Sequence, residues 1–434
     1  MKKLLLVILS VMMMFTCSGC KPEEKEIDET PLVEVIKAIN PTTVGFYTVG
    51  ESKDINDYKD ARYIIIDPVM TSETEAIEYL RNIMRWNEVN TVNEVKILDA
   101  VNSLISTEDE EKKILVINDA FIEALKTNEL VNGSLDNISS VYTYEAKTAY
   151  DFSLTDKPFQ LGVFGSDERA EGIVDESRYD VDMIMTVNPI THQVLLVSTP
   201  RDSYVQNPAH DYQYDKLTHL GDDGPENSLK GLSLLYGLDL KLYMITSFPG
   251  LISLVDSLGG IDVDNPYTFS TVHGYVNKDK KDYYYFPQGT LHLNGEYALA
   301  YARERQTLRN GDIDRCKHAI VLVRALIKRM LAVENLANFD TVMQQIKNCF
   351  HTNISMKQMY GLAVMEYLDR PDWEIIEYTI WDDVYELAPT ATYSDQGYLN
   401  VGYPYQPDVD YVSQEMKKML NGEVIAQGSL PSGN

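Results

Sequence analysis

The 434-residue chain carries a formal net charge of -28, with apolar and charged fractions of 44% and 24%. Those fractions belong to a globular protein with a well-buried core, and the length allows two or three domains. So acidic a chain excludes non-specific nucleic-acid binding, which needs a basic surface, but leaves room for a local cationic pocket.

The N-terminus reads as a targeting segment. Lys2 and Lys3 precede an apolar stretch from Leu4 to Phe15 that is too short to span a bilayer comfortably. "CSGC" follows, with Ser18 and Gly19 just before Cys20, so residues 1–20 are expected to be a lipoprotein signal peptide with Cys20 as the acylated residue. Cys17 stands where such boxes usually carry Leu, and an uncleaved signal anchor is the alternative. Either outcome makes the body extracytoplasmic and membrane-anchored, in the cell envelope. Residues 21–42, with "KPEEKEIDETP", read as a solvated linker. Only Cys316 and Cys349 then remain, as a pair or as two buried thiols.

Residues 43–155 alternate short apolar runs with amphipathic stretches. "RYIIID" and "KKILVIND" have strand character, and "SETEAIEYLRNIMRW" has apolar side chains at helical spacing. This predicts a small α/β accessory domain, with no Gly-rich phosphate loop and no His cluster. A second α/β unit spans 156–425, ahead of a tail at 426–434 expected to be disordered. "QLGVFG", "VDMIMTVNP" and "HQVLLVST" read as strands, with Asn188-Pro189 marking a turn. "SFPGLISLVDSLGGIDV" reads as a helix capped by Ser247, with Pro249 in its first turn and Gly259-Gly260 at its end, followed by a strand. The aromatic segment around "DYYYFPQG" suggests a hairpin, and "DIDRCKHAIVLVRALIKRM" an amphipathic helix. The Tyr-, Pro- and Asp-rich end is compatible with glycan contact or with packing.

Thirteen arginines occur in the chain, and seven of them (Arg169, Arg178, Arg201, Arg303, Arg305, Arg309 and Arg315) fall in two short windows. A planar guanidinium grips phosphate or carboxylate bidentately, so such clustering points to an anionic ligand. Four stretches carry it. In "GSDERAEGIVDESRYDVDM", Asp167 follows a strand and Arg178 and Asp180 enter the next one. Two acids from separate loops can share a hard cation, or can simply cap turns. In "VLLVSTPRDSYV", Pro200 stiffens a strand end, Arg201 projects from it, and Asp202 is available to orient a neighbouring guanidinium. In "LNGEYALAYARER", Asn294 caps a helix expected to run through Tyr301. Arg303 and Arg305 face one way if the chain is extended beyond it, and diverge if it stays helical. Finally, Asp312 and Arg315 stand one turn apart at a helix N-terminus. No G-x-S-x-G, H-E-x-x-H or C-x-x-C motif is present, so serine and zinc hydrolases are disfavoured.

With "DKLTHLG", "LVDSLGGIDVD" and "GDIDR" in the same order, these motifs resemble the LytR-CpsA-Psr (LCP) family over roughly residues 158 to 335. The resemblance implies a three-layer α/β/α catalytic domain. It also implies an extracytoplasmic, Mg2+-dependent phosphotransferase that moves a glycopolymer, such as a teichoic acid or capsular polysaccharide, from a polyprenyl-pyrophosphate carrier to peptidoglycan. By that resemblance Asp167 and Asp180 match the metal-site acids. Arg178, Arg201, Arg303, Arg305 and Arg315 match the pyrophosphate-gripping arginines, and Asp312 matches the motif acid. Ala319 replaces an expected Gln. A polyprenyl-pyrophosphate phosphatase and a non-catalytic solute-binding lipoprotein are the rival readings. Apolar runs such as "DMIMTVNP" and "LISLVDSL" suit either a prenyl tunnel or plain core.

Overall fold

The structure, a computed structural model, describes residues 43–433 apart from internal stretches, the longest being 123–132, 169–175, 273–282 and 333–345. The expected signal peptide, Cys20 and the linker lie outside the described residues. Two larger sheets organise the remainder. In the first, β1 (Thr43–Val49), β2 (Arg62–Ile66), β3 (Asn90–Glu94), β4 (Lys113–Asn118) and β5 (Ile138–Glu145) stand in the order β3-β2-β4-β1-β5. Strands β3 and β4 both run parallel to β2. Parallel neighbours need crossovers, which α1 (Thr71–Met84) and α2 (Ile97–Ile105) supply. Val44, Phe46, Tyr63, Trp86 and Val116 belong to a core of their own.

The second sheet begins with the antiparallel meander of β6 (Phe159–Ser166), β7 (Tyr179–Asn188) and β8 (Gln193–Thr199). The β7–β8 turn forms because Asn188 Oδ1 accepts from the Ile190 and Thr191 amides, at 3.0 and 3.1 Å. A two-stranded ribbon of β9 (Tyr204–Asn207) and β10 (Gln213–Lys216) follows, then α3 (Pro225–Tyr236) and β11 (Leu242–Thr246), which lies parallel to β6. Helix α4 (Phe248–Ser257) starts as anticipated: Ser247 Oγ accepts from Gly250 N at 3.3 Å, and Pro249 needs no amide partner there. Gly259 and Gly260 end it with φ of 73° and 90°.

Strand β12 (Ile261–Asn265) and the stem of the aromatic hairpin, β13 (Phe269–Ser270) with β14 (Tyr285–Phe286), come next, then β15 (Gly289–Leu293) back beside β12. Helices α5 (Gly295–Arg303) and α6 (Asp312–Met330), strand β16 (His351–Thr352), helix α7 (Met356–Asp369) and strand β17 (Glu374–Thr379) lead to the hairpin β18 (Asp382–Pro389) and β19 (Tyr398–Pro404), and helix α8 (Gln406–Leu420).

The sheet order is β16-β11-β6-β7-β8-β17. Period-two alternation gives it two apolar faces. Phe164, Ile184, Val197 and Ile376 pack with Leu232 and Tyr236 of α3 and Met416 of α8. On the opposite face Leu161, Met183 and Leu196 meet Ala319 and Ile320 of α6 and Met359 of α7. The result is the α/β/α layering anticipated from the sequence.

One expectation is corrected here, and one open choice, the state of Cys316 and Cys349, is decided. Residues 426–433 do not behave as a disordered tail: Leu430 is buried, Gly428 N donates to Tyr378 Oη at 2.8 Å, and Ser432 N donates to Asp408 Oδ1 at 2.8 Å. Small polar residues imitate a linker until side chains elsewhere satisfy their amides. Cys316 and Cys349 are both buried and both free thiols.

Candidate active site at the mouth of an apolar cavity

The meander brings three chain segments together at one end of the central strands. Strand β6 ends at Ser166, so Asp167 begins the following loop, while Asp180 lies at the start of the antiparallel β7. Strand β8 ends at Thr199, and Pro200 turns the chain so that Arg201 points back toward β7. Arg201 Nη1 donates to Asp180 Oδ1.

Helix α6 completes the cluster from its first turn. Arg315, only 4% exposed, donates from Nη2 to the Asp180 carbonyl at 3.0 Å and places Nη1 3.4 Å from Asp180 Oδ2. Its Nη2 is also 2.8 Å from Asp312 Oδ1, which in turn lies 4.0 Å from Arg201 Nε. Neither Asp312 contact is aligned as a hydrogen bond, and both Asp312 carboxylate oxygens are buried without one. Arg303, the last residue of α5, stacks on the Phe248 ring at 4.4 Å and faces the same cavity.

Burial pushes the Asp180 carboxyl up, but the Arg315 and Arg201 guanidiniums outweigh it and hold the group below the usual carboxylate range. Arg201 loses some basicity to burial and regains more from Asp180, Asp202 and Asp312, so it stays charged. Asp167 behaves oppositely. Burial and the nearby Asp180 charge raise its pKa, although Arg178 Nη2 sits 3.1 Å from its Oδ2.

Of the residues singled out in sequence, Asp180, Arg201, Arg303, Asp312 and Arg315 gather at the mouth, with the Asp167–Arg178 pair at its more exposed edge. Two differ from expectation. Asp202 orients no guanidinium; its carboxylate accepts from Lys216 Nζ at 2.9 Å, because the β9–β10 ribbon returns Lys216 beside it. The α5 helix runs on to Arg303, and the chain turns extended only at Glu304, which is fully buried and accepts from Thr307 N at 2.9 Å. Arg303 and Arg305 therefore belong to different local structures. Among the described residues no ion pair or hydrogen bond ties Arg305 to the cluster.

Sequence reading missed Asp182. It is fully buried in β7, both its oxygens lack hydrogen bonds, and burial with the nearby Asp180 raises its pKa strongly. An acid inside the apolar run "VDMIM" was the available signal.

Behind the mouth lies an apolar cavity of about 390 Å³. Ser166, Asp180, Arg303 and Arg315 stand at one end of it. Phe159, Val194, Glu366 and Trp373 line the other, and β6, which runs between Phe159 and Ser166, is itself about 23 Å long. Trp373 Nε1 donates to Glu366 Oε1 there at 2.8 Å. Ala319 lines the wall where a polar side chain was expected.

The donor chemistry at the mouth suits a hard cation. Asp167 and Asp180 offer carboxylate oxygens, and their mutual repulsion is what a divalent ion relieves. Among the described residues no group of three or more metal-binding side chains occurs.

Residues 124–380 match the model of the LytR_cpsA_psr family. A polyisoprenyl-teichoic acid–peptidoglycan teichoic acid transferase, TagU of Enterococcus faecalis, is 28% identical over 285 residues, which cover 64% of this chain and 86% of that one. The corresponding TagV of Bacillus subtilis is 30% identical over 242 residues, covering 55% of this chain and 60% of that one. The crystal structure of the B. subtilis TagV protein superposes with a TM-score of 0.51 at 23% identity, over 63% of this chain and all of that one. That last likeness speaks to the fold alone.

Proposed function

From the premise that the chain belongs to the LytR-CpsA-Psr family, we propose that it transfers an anionic glycopolymer from a polyprenyl-pyrophosphate carrier onto peptidoglycan in the cell envelope. One observation carries this reading: Arg303 and Arg315 line one end of a long apolar cavity, and Arg201 joins them there through Asp180. A ligand matching both features has a multiply charged head and a long hydrocarbon tail.

In this reading the prenyl chain lies against α6 and α7, and the diphosphate meets the arginines at the mouth. Asp180 pre-aligns Arg201 and Arg315, so little side-chain entropy is lost when they turn to phosphate. Asp312 holds Arg315 from below. A sugar hydroxyl of the acceptor attacks the sugar-linked phosphorus, and the bond to the bridging oxygen breaks. Polyprenyl phosphate leaves with that oxygen, and the hydroxyl proton passes to water at the open mouth. Phosphoryl transfer of this kind rests on positioning and charge neutralisation, so no protein nucleophile is required.

Asp167 and Asp180 would hold Mg2+, which supplies further neutralisation of phosphate charge. Arg178 and Asp202 flank the mouth as substrate-side residues. Among the described residues no helix is long and apolar enough to cross a membrane, and anchoring through an acylated Cys20 is part of the proposal.

Purified protein incubated with lipid-linked polymer and peptidoglycan tests this. Polymer attached to the wall material, with release of polyprenyl phosphate that depends on the acceptor, is the expected result. Release that ignores the acceptor would identify a phosphatase instead.

A further inference from the structure

We propose that the β9–β10 ribbon and the β18–β19 hairpin together form a tyrosine platform that binds an uncharged glycan strand beside Arg201. The proposal rests on the transferase reading for its location, since the bound strand would present the acceptor hydroxyl.

Register fixes the geometry. In β9–β10, Tyr204 pairs with Lys216 and Gln206 with Tyr214, so all four point to the outer face, while Val205 and Asp215 point inward and are buried. The Tyr204 and Tyr214 rings lie 5.1 Å apart, and Tyr403 of β19 extends the row at 5.5 Å from Tyr204. Tyr214 is 51% exposed. Tyr204 and Tyr403 are half-buried, so the row presents ring surface to solvent chiefly at Tyr214.

The row is tied directly to the catalytic loop. Ser203 forms a parallel bridge to Gly402, Gly402 N donates to Asp202 O at 2.9 Å, and Ser203 Oγ donates to Asp382 Oδ1 at 2.9 Å. Tyr204 and Tyr403 each follow one of those bridged residues.

Charge selects the occupant. Residues 204–216 and 382–404 contain four exposed acids (Asp211, Asp383, Glu386 and Asp395), while Asp215 and Asp382 are buried, and as Lys or Arg they contain only Lys216, which Asp202 already engages. An anionic polymer or an anionic lipid surface is repelled by such a face. A neutral sugar chain is not: its C–H faces rest on the electron-rich rings, and its hydroxyls can donate to carboxylates and to Gln206. Tyrosine suits this role because it offers rigid contact area with two side-chain torsions.

Two readouts test the proposal separately from the transferase reading. In the first, the full chain is titrated with chitotetraose, an uncharged β-linked oligosaccharide, for wild type, Tyr214→Ala and Tyr214→Phe. Binding by wild type and Tyr214→Phe, weakened at least tenfold in Tyr214→Ala, is expected whether or not transfer occurs. In the second, transfer kinetics should show KM for the glycan acceptor raised at least tenfold in Tyr214→Ala, with KM for the lipid-linked donor unchanged. Equal chitotetraose affinity in all three proteins would overturn the proposal, as would a rise confined to the donor KM.

Discussion

The two faces of the six-stranded sheet are built from similar residues and end differently. On the α3 and α8 side, Leu232, Tyr236, Val412 and Met416 fill the space against the strands completely, each no more than 1% exposed. On the α6 and α7 side, Ala319, Ile320 and Met359 pack on the strands, while Leu322, Val323, Ile327 and Leu362 also line the cavity. One face is core in the ordinary sense; the other lines a cavity. Hydrophobic patterning along a strand therefore does not separate protein core from ligand site. The size and placement of the helices opposite do.

Charge makes the same contrast at the ends of the cavity. At the mouth, cations stand against paired acids, whereas at the far end a single buried carboxylate, Glu366, is held by Trp373.

The sharpest way to break this contrast is Arg201→Ala. Transfer should fall on the order of 10³-fold while secondary structure is retained, because Arg201 acts on charge developing at phosphate. Next, truncation should cost differently on the two faces. Met416→Ala should lower unfolding stability by about 2–5 kcal/mol, and Val323→Ala by less than about 1.5 kcal/mol, since part of the Val323 surface already faces empty space. Chemical denaturation measures both. Equal losses would mean that the cavity face is packed after all.

A smaller effect concerns Asp382, which holds the Arg201 loop through Ser203. Burial raises its pKa to about 7. Between the ordinary carboxylate range and that value, the folded state keeps a proton that the unfolded chain has lost, so stability falls as pH rises through this window. Asp382→Asn lacks that penalty, and its stability relative to wild type should improve by about 2–3 kcal/mol from pH 5 to pH 8. A pH-independent difference would show that the carboxyl is ordinary. Smallest of all, Glu366→Gln keeps an acceptor for Trp373 and should change stability by under about 1 kcal/mol.

Much of the site could be read from local sequence. Pro200 after an apolar run, Ser247 with Pro249, and the acidic start of α6 each announce their structure within a few residues. What was not legible depends on distant partners. Nothing near Asp202 announces Lys216, because a ribbon with a 3-10 turn at its tip has to return it. The clamp of Gly402 and Asp382 on the Arg201 loop joins residues about 180–200 positions apart. Asp182 is masked in sequence by the apolar residues on either side of it in β7, since alternation assigns its position to the filled face that carries Ile184.

The most direct test is the dissociation constant of geranylgeranyl pyrophosphate for the wild type and for Val323→Trp, which fills the cavity without touching the arginines. Wild type should bind this ligand far more tightly than inorganic pyrophosphate, and Val323→Trp should reduce it to the affinity of inorganic pyrophosphate. Undiminished binding of the prenylated ligand by Val323→Trp would contradict prenyl binding in the cavity.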